Sequence, residues 1–251
     1  MLKVSIITVC FNCENTIEST LNSVLNQNYK NIEYIIIDGS STDNTTKIIN
    51  KYKDKIKVII SEKDNGIYNA INKGIKLATG DIISLIHGND IFTNYGVVSE
   101  AVEHFKNDEK IDILIGDVAF KKNLSDKKIV RYYPSKTFKT WMLRIGYSPP
   151  HLSSFFSKKA IDFVGLYGEN FIIAGDFDYF VRSFLVKKLI FKKINYCMVY
   201  MSTGGASGKN FKSYFLSSRE INYSLKKNGI YSNIFLTYLR FPLKLLQVFF
   251  K

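Results

Sequence analysis

Cysteine is scarce in this chain, and acid is missing from one end of it. Three cysteines (Cys10, Cys13 and Cys197) cannot all pair, and they do not space out the framework of a small secreted domain. That excludes a disulfide-stapled scaffold and favours a reducing compartment. Cys10 and Cys13 form a C-x-x-C, but no second ligand pair follows at zinc-site spacing, so they read as a small apolar residue and a loop residue. No apolar run reaches the roughly 18 residues needed to span a bilayer. Residues 1–10 read as an apolar strand with a single lysine, not as a secretory signal. Internal repeats and long linkers are absent as well. From Arg182 onward thirteen lysines and arginines face one acid, Glu220, so the last 70 residues carry nearly all of the net charge of +13. A basic surface of this kind attracts phosphate, whether in a charged substrate or in anionic lipid. No nucleic-acid-binding module accompanies the charge, so nucleic acid is not expected as a partner.

What is present is the composition of an ordinary globular protein. A chain of 251 residues, 46% hydrophobic and 23% charged, buries a large core in one or two domains. Residues 2–9 (LKVSIITV) are β-branched and apolar, a buried strand. Residues 16–26 place Ile17, Leu21, Val24 and Leu25 at helical spacing, with Asn15 as the expected N-cap. Residues 34–37 make a second strand, ending in DGSSTDNT, and a helix is predicted over 45–52. A strand over 57–60, a helix over 67–77 and a strand over 81–86 complete a βαβ series with a parallel sheet. Further on, the pattern predicts a helix over 97–105, a strand over 111–118 and a hairpin or irregular excursion over 120–133. A stiff YSPPH turn over 147–151, a helix start at GDFD and a short strand over 197–200 follow. The glycine-rich STGGASG over 202–208 precedes an amphipathic helix over 211–226 and an aromatic, basic tail.

Several residues could carry chemistry, and each has a bland reading beside the functional one. Asp38 ends the second strand, where open α/β sheets bind ligands; the Ser41–Asp43 run after it also suits helix capping. Asp64 and Gly66 open a helix, either as an anion-favouring terminus or as a plain turn. Asp90 follows the fourth strand, and a hard cation such as Mg²⁺ or Mn²⁺ takes one or two such carboxylates beside phosphate oxygens. His87 beside it reads as structural. Asp176 and Asp178 lie two apart, so one can face a site as general base while the other caps the helix or faces solvent. His151, after two prolines, either meets a diphosphate, metal or acceptor, or packs in its loop.

Taken together, SIITVCFNCENTIESTLNSVLNQNYKNIEYIIIDGSSTDNT and DNGIYNAINKGIKLATGDIISLIHGND resemble the two N-terminal blocks of the family 2 glycosyltransferases. The resemblance is continuous to about Asp90 and patchier to about Gly208. It implies an α/β fold of the GT-A type: a Rossmann-like, nucleotide-binding, mostly parallel central sheet flanked by helices, with a helical, amphipathic C-terminal tail. It implies a transferase domain over 1–210, with a nucleotide-sugar half over 1–118 and an acceptor half over 119–210, followed by basic amphipathic helices over 211–251. By the same resemblance Thr8, Asp38, Asp64, Asn89, Gly205 and Ser207 meet the donor, a UDP-sugar. Asp90, assisted by His151, holds Mn²⁺ or Mg²⁺, and Asp176 is the catalytic base. Two positions depart from the family pattern: Asn89 stands where many relatives have a second acid, and Gly175 stands where many have Glu.

The implied reaction is a single displacement with inversion, from the donor to a hydroxyl of a saccharide or lipid-linked saccharide, in assembly of a bacterial surface polysaccharide such as capsule, O-antigen or exopolysaccharide. The basic, aromatic tail adds an expectation of peripheral membrane contact at the inner face of the cell membrane, against the alternatives of packing on the protein body or in a homodimer. Two other classes compete. A nucleotidyltransferase would show a basic glycine-rich loop after the first strand, where this chain has CFNCENT. A non-catalytic membrane adaptor with a degenerate transferase fold would not need Asp38, Asp90 and Asp176.

Overall fold

A computed structural model describes residues 1–203 and 211–243 of the chain. Its organising element is β1 (Val4–Cys10), all seven residues of which are buried. Strand β1 is flanked by β2 (Ile32–Asp38) and β4 (Ile82–His87), and β2 by β3 (Val58–Ser61), all parallel. Helices α1 (Ile17–Leu25), α2 (Thr45–Asn50) and α3 (Ile67–Leu77) make the connections. Strands covered on both faces read as continuous apolar runs, which is why this part of the sheet is legible in the sequence. Helix α3 lies so close to β1 that a side chain at Gly74 would meet Ile7 Cγ2 at 2.4 Å.

The register fixes where the site forms. Cys10 pairs with Asp38, Asp38 with Ser61, and Val9 with His87. The carboxyl ends of the parallel strands therefore finish level with one another, and their loops open on one edge of the sheet.

Beyond β4 the sheet becomes mixed. The short β5 (Asp90–Phe92), α4 (Val97–Asn107), β6 (Ile113–Lys121) and β7 (Ile129–Tyr133) precede two 3-10 turns, Ser135–Thr137 and Thr140–Ile145. Then come β8 (Ser154–Ser157), α5 (Lys158–Val164), α6 (Gly175–Val181), a π-helical turn at Arg182–Val186, β9 (Phe191–Ser202), α7 (Phe211–Lys227) and α8 (Ile234–Tyr238). Among the described residues one nine-stranded sheet runs β3-β2-β1-β4-β8-β6-β9-β5, with β7 on β6. Strand β8 is antiparallel to both β4 and β6, so it stitches the N-terminal parallel part to the rest.

Four elements differ from the sequence expectation. The cap of α1 is Thr16, not Asn15, and the Thr16 hydroxyl donates to Gly88 O at 2.9 Å instead of closing its own helix. Helix α2 stops at Asn50 and gives way to a 3-10 turn at Lys53–Lys55. Helix α6 converts to the π turn after Val181. Strand β9 is twelve residues long because Lys192 and Lys193 belong to it; pairing with β6 holds a segment whose lysines read as loop.

At the opposite, amino end of the parallel strands, Glu33 is buried as a structural acid. Its carboxylate accepts from Lys3 Nζ (2.6 Å), Ser5 Oγ (2.6 Å), and both Thr79 N and Thr79 Oγ1 (2.8 Å each), tying the end of α3 to β1 and β2. Burial raises its pKa, but the hydrogen bonds from Lys3, Ser5 and Thr79 outweigh that and hold it down to about 2. A lowered folded-state pKa adds stability that is present above the ordinary value of 4.5 and is lost as pH falls through about 2. Glu33→Gln is expected to cost about 2 kcal/mol at neutral pH and to flatten the acid limb of the stability curve, measured by urea denaturation across that pH range. An unchanged acid limb would contradict this role.

Candidate active site

At the level edge formed by the strand ends, β1 delivers Cys10 and the 61% exposed Phe11. Thr8 lies two residues deeper, fully buried, and its hydroxyl shares a 2.9 Å hydrogen bond with Tyr34 OH. Of the residues of β1, it is Cys10 that stands beside Asp38; the side chain of Thr8 belongs to the core. Two loops leave this edge through non-glycine residues with positive φ, Asn12 (46°) and Ser40 (63°), an uncommon conformation that surrounding contacts must enforce. They enforce it mutually. Asn12 N donates to Ser41 Oγ, Thr42 N to Asn12 Oδ1, and Glu14 N to Asp43 Oδ2.

Asp38 organises the second loop. Its Oδ1 accepts from the Ser41 hydroxyl, and its Oδ2 from Ser41 N (3.0 Å) and Ser61 Oγ (2.6 Å). Asp43 accepts from Thr45 N at 2.9 Å, but the cap of α2 is Asn44, so Asp43 closes the turn one residue before the cap. Asp64 lies against Gly39, where a Cβ would stand 3.0 Å from Asp64 Oδ2, and it pairs with Lys73 at 2.7 Å. Asp38, Gly39 and Asp64 thus form one wall.

The opposite side holds the residue that differs from every other buried acid. Glu33, Asp38, Asp117 and Asp178 have hydrogen-bond donors on both carboxylate oxygens. Asp90 is 1% exposed, and only its Oδ1 is engaged, by Ser202 N at 3.3 Å. Its buried Oδ2 has no hydrogen-bond partner, and neither has His87 Nε2. The nearest cationic candidate is His87 Nδ1, at 3.8 Å. Burial pushes Asp90 up to about 7, and burial together with His151 pushes His87 down to about 3. An imidazole held neutral does not compensate the carboxylate.

This donor set fits a hard divalent cation: one desolvated carboxylate oxygen beside a neutral imidazole, with remaining positions left to phosphate and water. Among the described residues no group of three or more His, Cys, Asp and Glu gathers to hold a metal. His151, near enough to His87 to lower its pKa, hydrogen-bonds Tyr167 OH through Nε2 at 2.8 Å, and its ring packs on Phe156, Tyr167 and Phe180. Asn89 donates to Ser202 Oγ at 3.0 Å, so Asn89 and Asp90 together dock the end of β9, just before the glycine-rich stretch. Gly205 and Ser207 lie outside the described residues.

Asp176 stands at the start of α6 and is half-buried. Its Oδ1 accepts from Phe177 N at 2.8 Å, and its charge raises the pKa of Tyr68, Tyr133 and Tyr167 in addition to the effect of their burial. Tyr68 OH donates to Ile173 O (2.7 Å) and accepts from Asp176 N (3.3 Å). Tyr68 belongs to the first turn of α3, four residues after Asp64, so one helix start joins the Asp38–Asp64 wall to Asp176. The Gly175 departure follows from this contact. A side chain there would meet the Tyr68 ring at 2.7 Å.

Two residues have roles that sequence reasoning did not give them. Asp178 neither caps the helix nor faces solvent: it is fully buried and binds Arg182 Nε (2.9 Å), Ser224 Oγ (2.8 Å) and Asn228 Nδ2 (3.1 Å), locking α6 to α7. Glu220 of α7 accepts from the backbone N–H groups of Ile172, Ile173 and Ala174 at 2.8–2.9 Å, fixing the segment that leads into Asp176. Its isolation among thirteen cations was the available signal.

Because Gly175 and Tyr68 share one space, Gly175→Ala is expected to destabilise by about 1–3 kcal/mol through overpacking. The Gly175→Ala/Tyr68→Ala double variant should recover part of that loss relative to additivity. Thermal denaturation of the two single variants and the double variant measures this; strict additivity would mean that the two residues do not compete for the same volume.

The glycosyl transferase family 2 profile matches residues 5–163 of the chain. An uncharacterized glycosyltransferase of Mycobacterium tuberculosis is 30% identical over 200 residues, covering 73% of this chain and 69% of that protein. The UDP-Glc:alpha-D-GlcNAc-diphosphoundecaprenol beta-1,3-glucosyltransferase WfaP of Escherichia coli is 41% identical over 109 residues, 43% of each chain. Among solved structures, Staphylococcus aureus TarS in complex with UDP-GlcNAc has the same fold, with a TM-score of 0.70 at 16% identity over 92% of this chain and 68% of that one. The level strand ends, the unsatisfied buried Asp90 and the half-buried Asp176 are therefore carried on the GT-A scaffold of a glycosyltransferase, and this chain belongs to glycosyl transferase family 2.

Proposed function

We propose that the enzyme transfers a sugar from a UDP-sugar to a hydroxyl of a saccharide or lipid-linked saccharide, with inversion at the anomeric carbon. The observation that carries this reading is Asp90: a dry carboxylate with an orphaned oxygen is costly to maintain, and it lies at the edge where parallel sheets take ligands. In this reading the nucleoside rests between the end of β1, at Cys10 and Phe11, and the Asp38–Asp64 wall. Asp90 holds the divalent cation, Mn²⁺ or Mg²⁺, which when bound supplies charge neutralisation for the leaving diphosphate. Asn89 holds the end of β9 against this site.

Asp176 accepts the proton of the acceptor hydroxyl as its oxygen bonds to the anomeric carbon and the bond from that carbon to the diphosphate breaks. The Phe177 N–H and the Tyr68 hydroxyl fix the helix start from which Asp176 acts, so little reorientation remains for the reaction step. A UDP donor is supported by the UDP-GlcNAc bound to TarS, and a lipid-linked acceptor by the diphosphoundecaprenol substrate in WfaP's name. We assign the enzyme to surface polysaccharide assembly, acting at the inner face of the cell membrane through its basic C-terminal region. No helix among the described residues is long and apolar enough to cross a membrane.

A panel of nucleotide sugars with Mn²⁺ or Mg²⁺ and a saccharide acceptor tests the assignment. Asp176→Asn is expected to lower transfer by about 10²-fold or more while leaving calorimetric UDP affinity within a few-fold of wild type. Near wild-type transfer by that variant would remove the base assignment. Silence across the panel, with no UDP binding, would turn the account toward a non-catalytic adaptor.

A further inference from the structure

One end of the molecule has lost its exposed acids. Between Asp126 and Asp162 the sequence contains no Asp or Glu, and after Asp178 its one acid is Glu220, which is buried against the 172–174 amides. These two acid-free stretches meet in space. The 3-10 turn Thr140–Ile145 packs on α8, and α8 packs on α7. Ser232 Oγ donates to Arg144 O, Asn222 Nδ2 donates to Thr237 Oγ1 at 2.9 Å, and Gly146 abuts Ile221 and Thr237.

These adjoining elements leave large apolar side chains in solvent. Trp141 is 52% exposed and Phe235 81%, with Phe215, Tyr231 and Leu239 all more than half exposed. Lys139, Arg144, Lys212 and Arg219 are exposed on the same elements. Isolated apolar residues on a surface need no explanation, but five on elements that pack on one another, beside exposed cations and no exposed acid, do.

We infer that the 3-10 turn around Trp141, together with α7 and α8, forms a docking surface for an anionic phospholipid bilayer, with Trp141, Phe235 and Leu239 entering the interface. The inference rests on the proposed lipid-linked acceptor for its purpose, and it extends the contact from the C-terminal tail to a segment in the middle of the chain. Charge complementarity selects the occupant. A second copy would bring the same cations face to face, and like charges repel. A nucleic acid would satisfy the cations but not the aliphatic Leu239. A leaflet of anionic lipid offers phosphates and hydrocarbon in one plane, which is what amphipathic aromatic rings and basic side chains jointly require. The surface is also linked to the site, because α7 exposes Phe215 and through Glu220 holds the segment that ends at Asp176.

Trp141 is the chain's single tryptophan, so its fluorescence reports on this surface alone. With full-length protein and vesicles of three parts phosphatidylglycerol to seven of phosphatidylcholine, the emission should shift to the blue. It should also be quenched by brominated acyl chains, and both effects should weaken with salt and vanish on pure phosphatidylcholine. Lys139→Glu/Arg144→Glu should weaken vesicle binding at least tenfold, with circular dichroism confirming an intact fold, while transfer to a water-soluble acceptor stays unchanged. Co-sedimentation with vesicles without any change at Trp141 would overturn the inference and locate the contact elsewhere. Absence of co-sedimentation would overturn it too, as would a Trp141 shift that follows self-association in ultracentrifugation or added RNA instead of lipid. Failure of the transferase reading has a separate signature: no transfer from any donor to the soluble acceptor, whatever the vesicles do.

Discussion

The structure depends on β1 being buried along its whole length between two parallel neighbours. Once Val4–Cys10 is paired on both edges and covered on both faces, the register with β2 and β4 is set by the need to keep every residue dry. That register forces the strand ends level and sends their loops to one edge. Polar groups that come with the strands must then be satisfied inside the protein. Glu33 is answered by Lys3, Ser5 and Thr79, and Asp38 by Ser41 and Ser61. Asp117 is answered by Tyr132 and Ser135, and Asp178 by Arg182, Ser224 and Asn228. Against that pattern Asp90 is the exception, and the exception marks the site. In the proposed reading, stability is given up there in return for a position at which a bound cation and diphosphate have somewhere to put their charge.

The N-terminal half was legible because its signals are local. Apolar strands of four to seven residues, helical spacing of Ile17, Leu21 and Val24, and Gly-Ser-Asp turns all agree with the fold they enter. What stayed hidden depends on partners far away in sequence. Strand β9 is held by β6, so Lys192 and Lys193 could not announce it. Thr8, named only through the resemblance, is fully buried against Tyr34, and it is Cys10 that the register sets beside Asp38. Asp178 and Glu220 are read only when α6 and α7 are seen together, and Gly175 only against the ring of Tyr68. The carboxylates at positions 38, 64, 90 and 176 were named from the sequence. Which of them is self-satisfied, and which carries an unanswered oxygen, required three dimensions.

The two halves of the site are mechanically joined. Helix α3 begins beside the Asp38–Asp64 wall and holds Asp176 through Tyr68, while its Asn72 exchanges hydrogen bonds with the backbone of Tyr167. Helix α7 secures the same segment from the other side through Glu220. Asp176, the proposed base, is therefore braced by one helix that starts beside Asp64 and by another that carries the basic, aromatic surface. Such bracing favours a fixed distance between the donor and the acceptor hydroxyl, which a single-displacement reaction needs.

The central claim is that Asp90 is kept unsatisfied for a cation. The most direct measurement is thermal denaturation of wild type and Asp90→Asn, each with and without Mn²⁺ and UDP. The account expects the variant to melt at a higher temperature than wild type when no metal is present, because a buried, uncompensated carboxylate has been removed. It also expects the variant to gain little from Mn²⁺ and UDP, which should stabilise the wild type by mass action. A variant that melts lower without metal, or that gains as much as wild type from Mn²⁺ and UDP, would contradict the account.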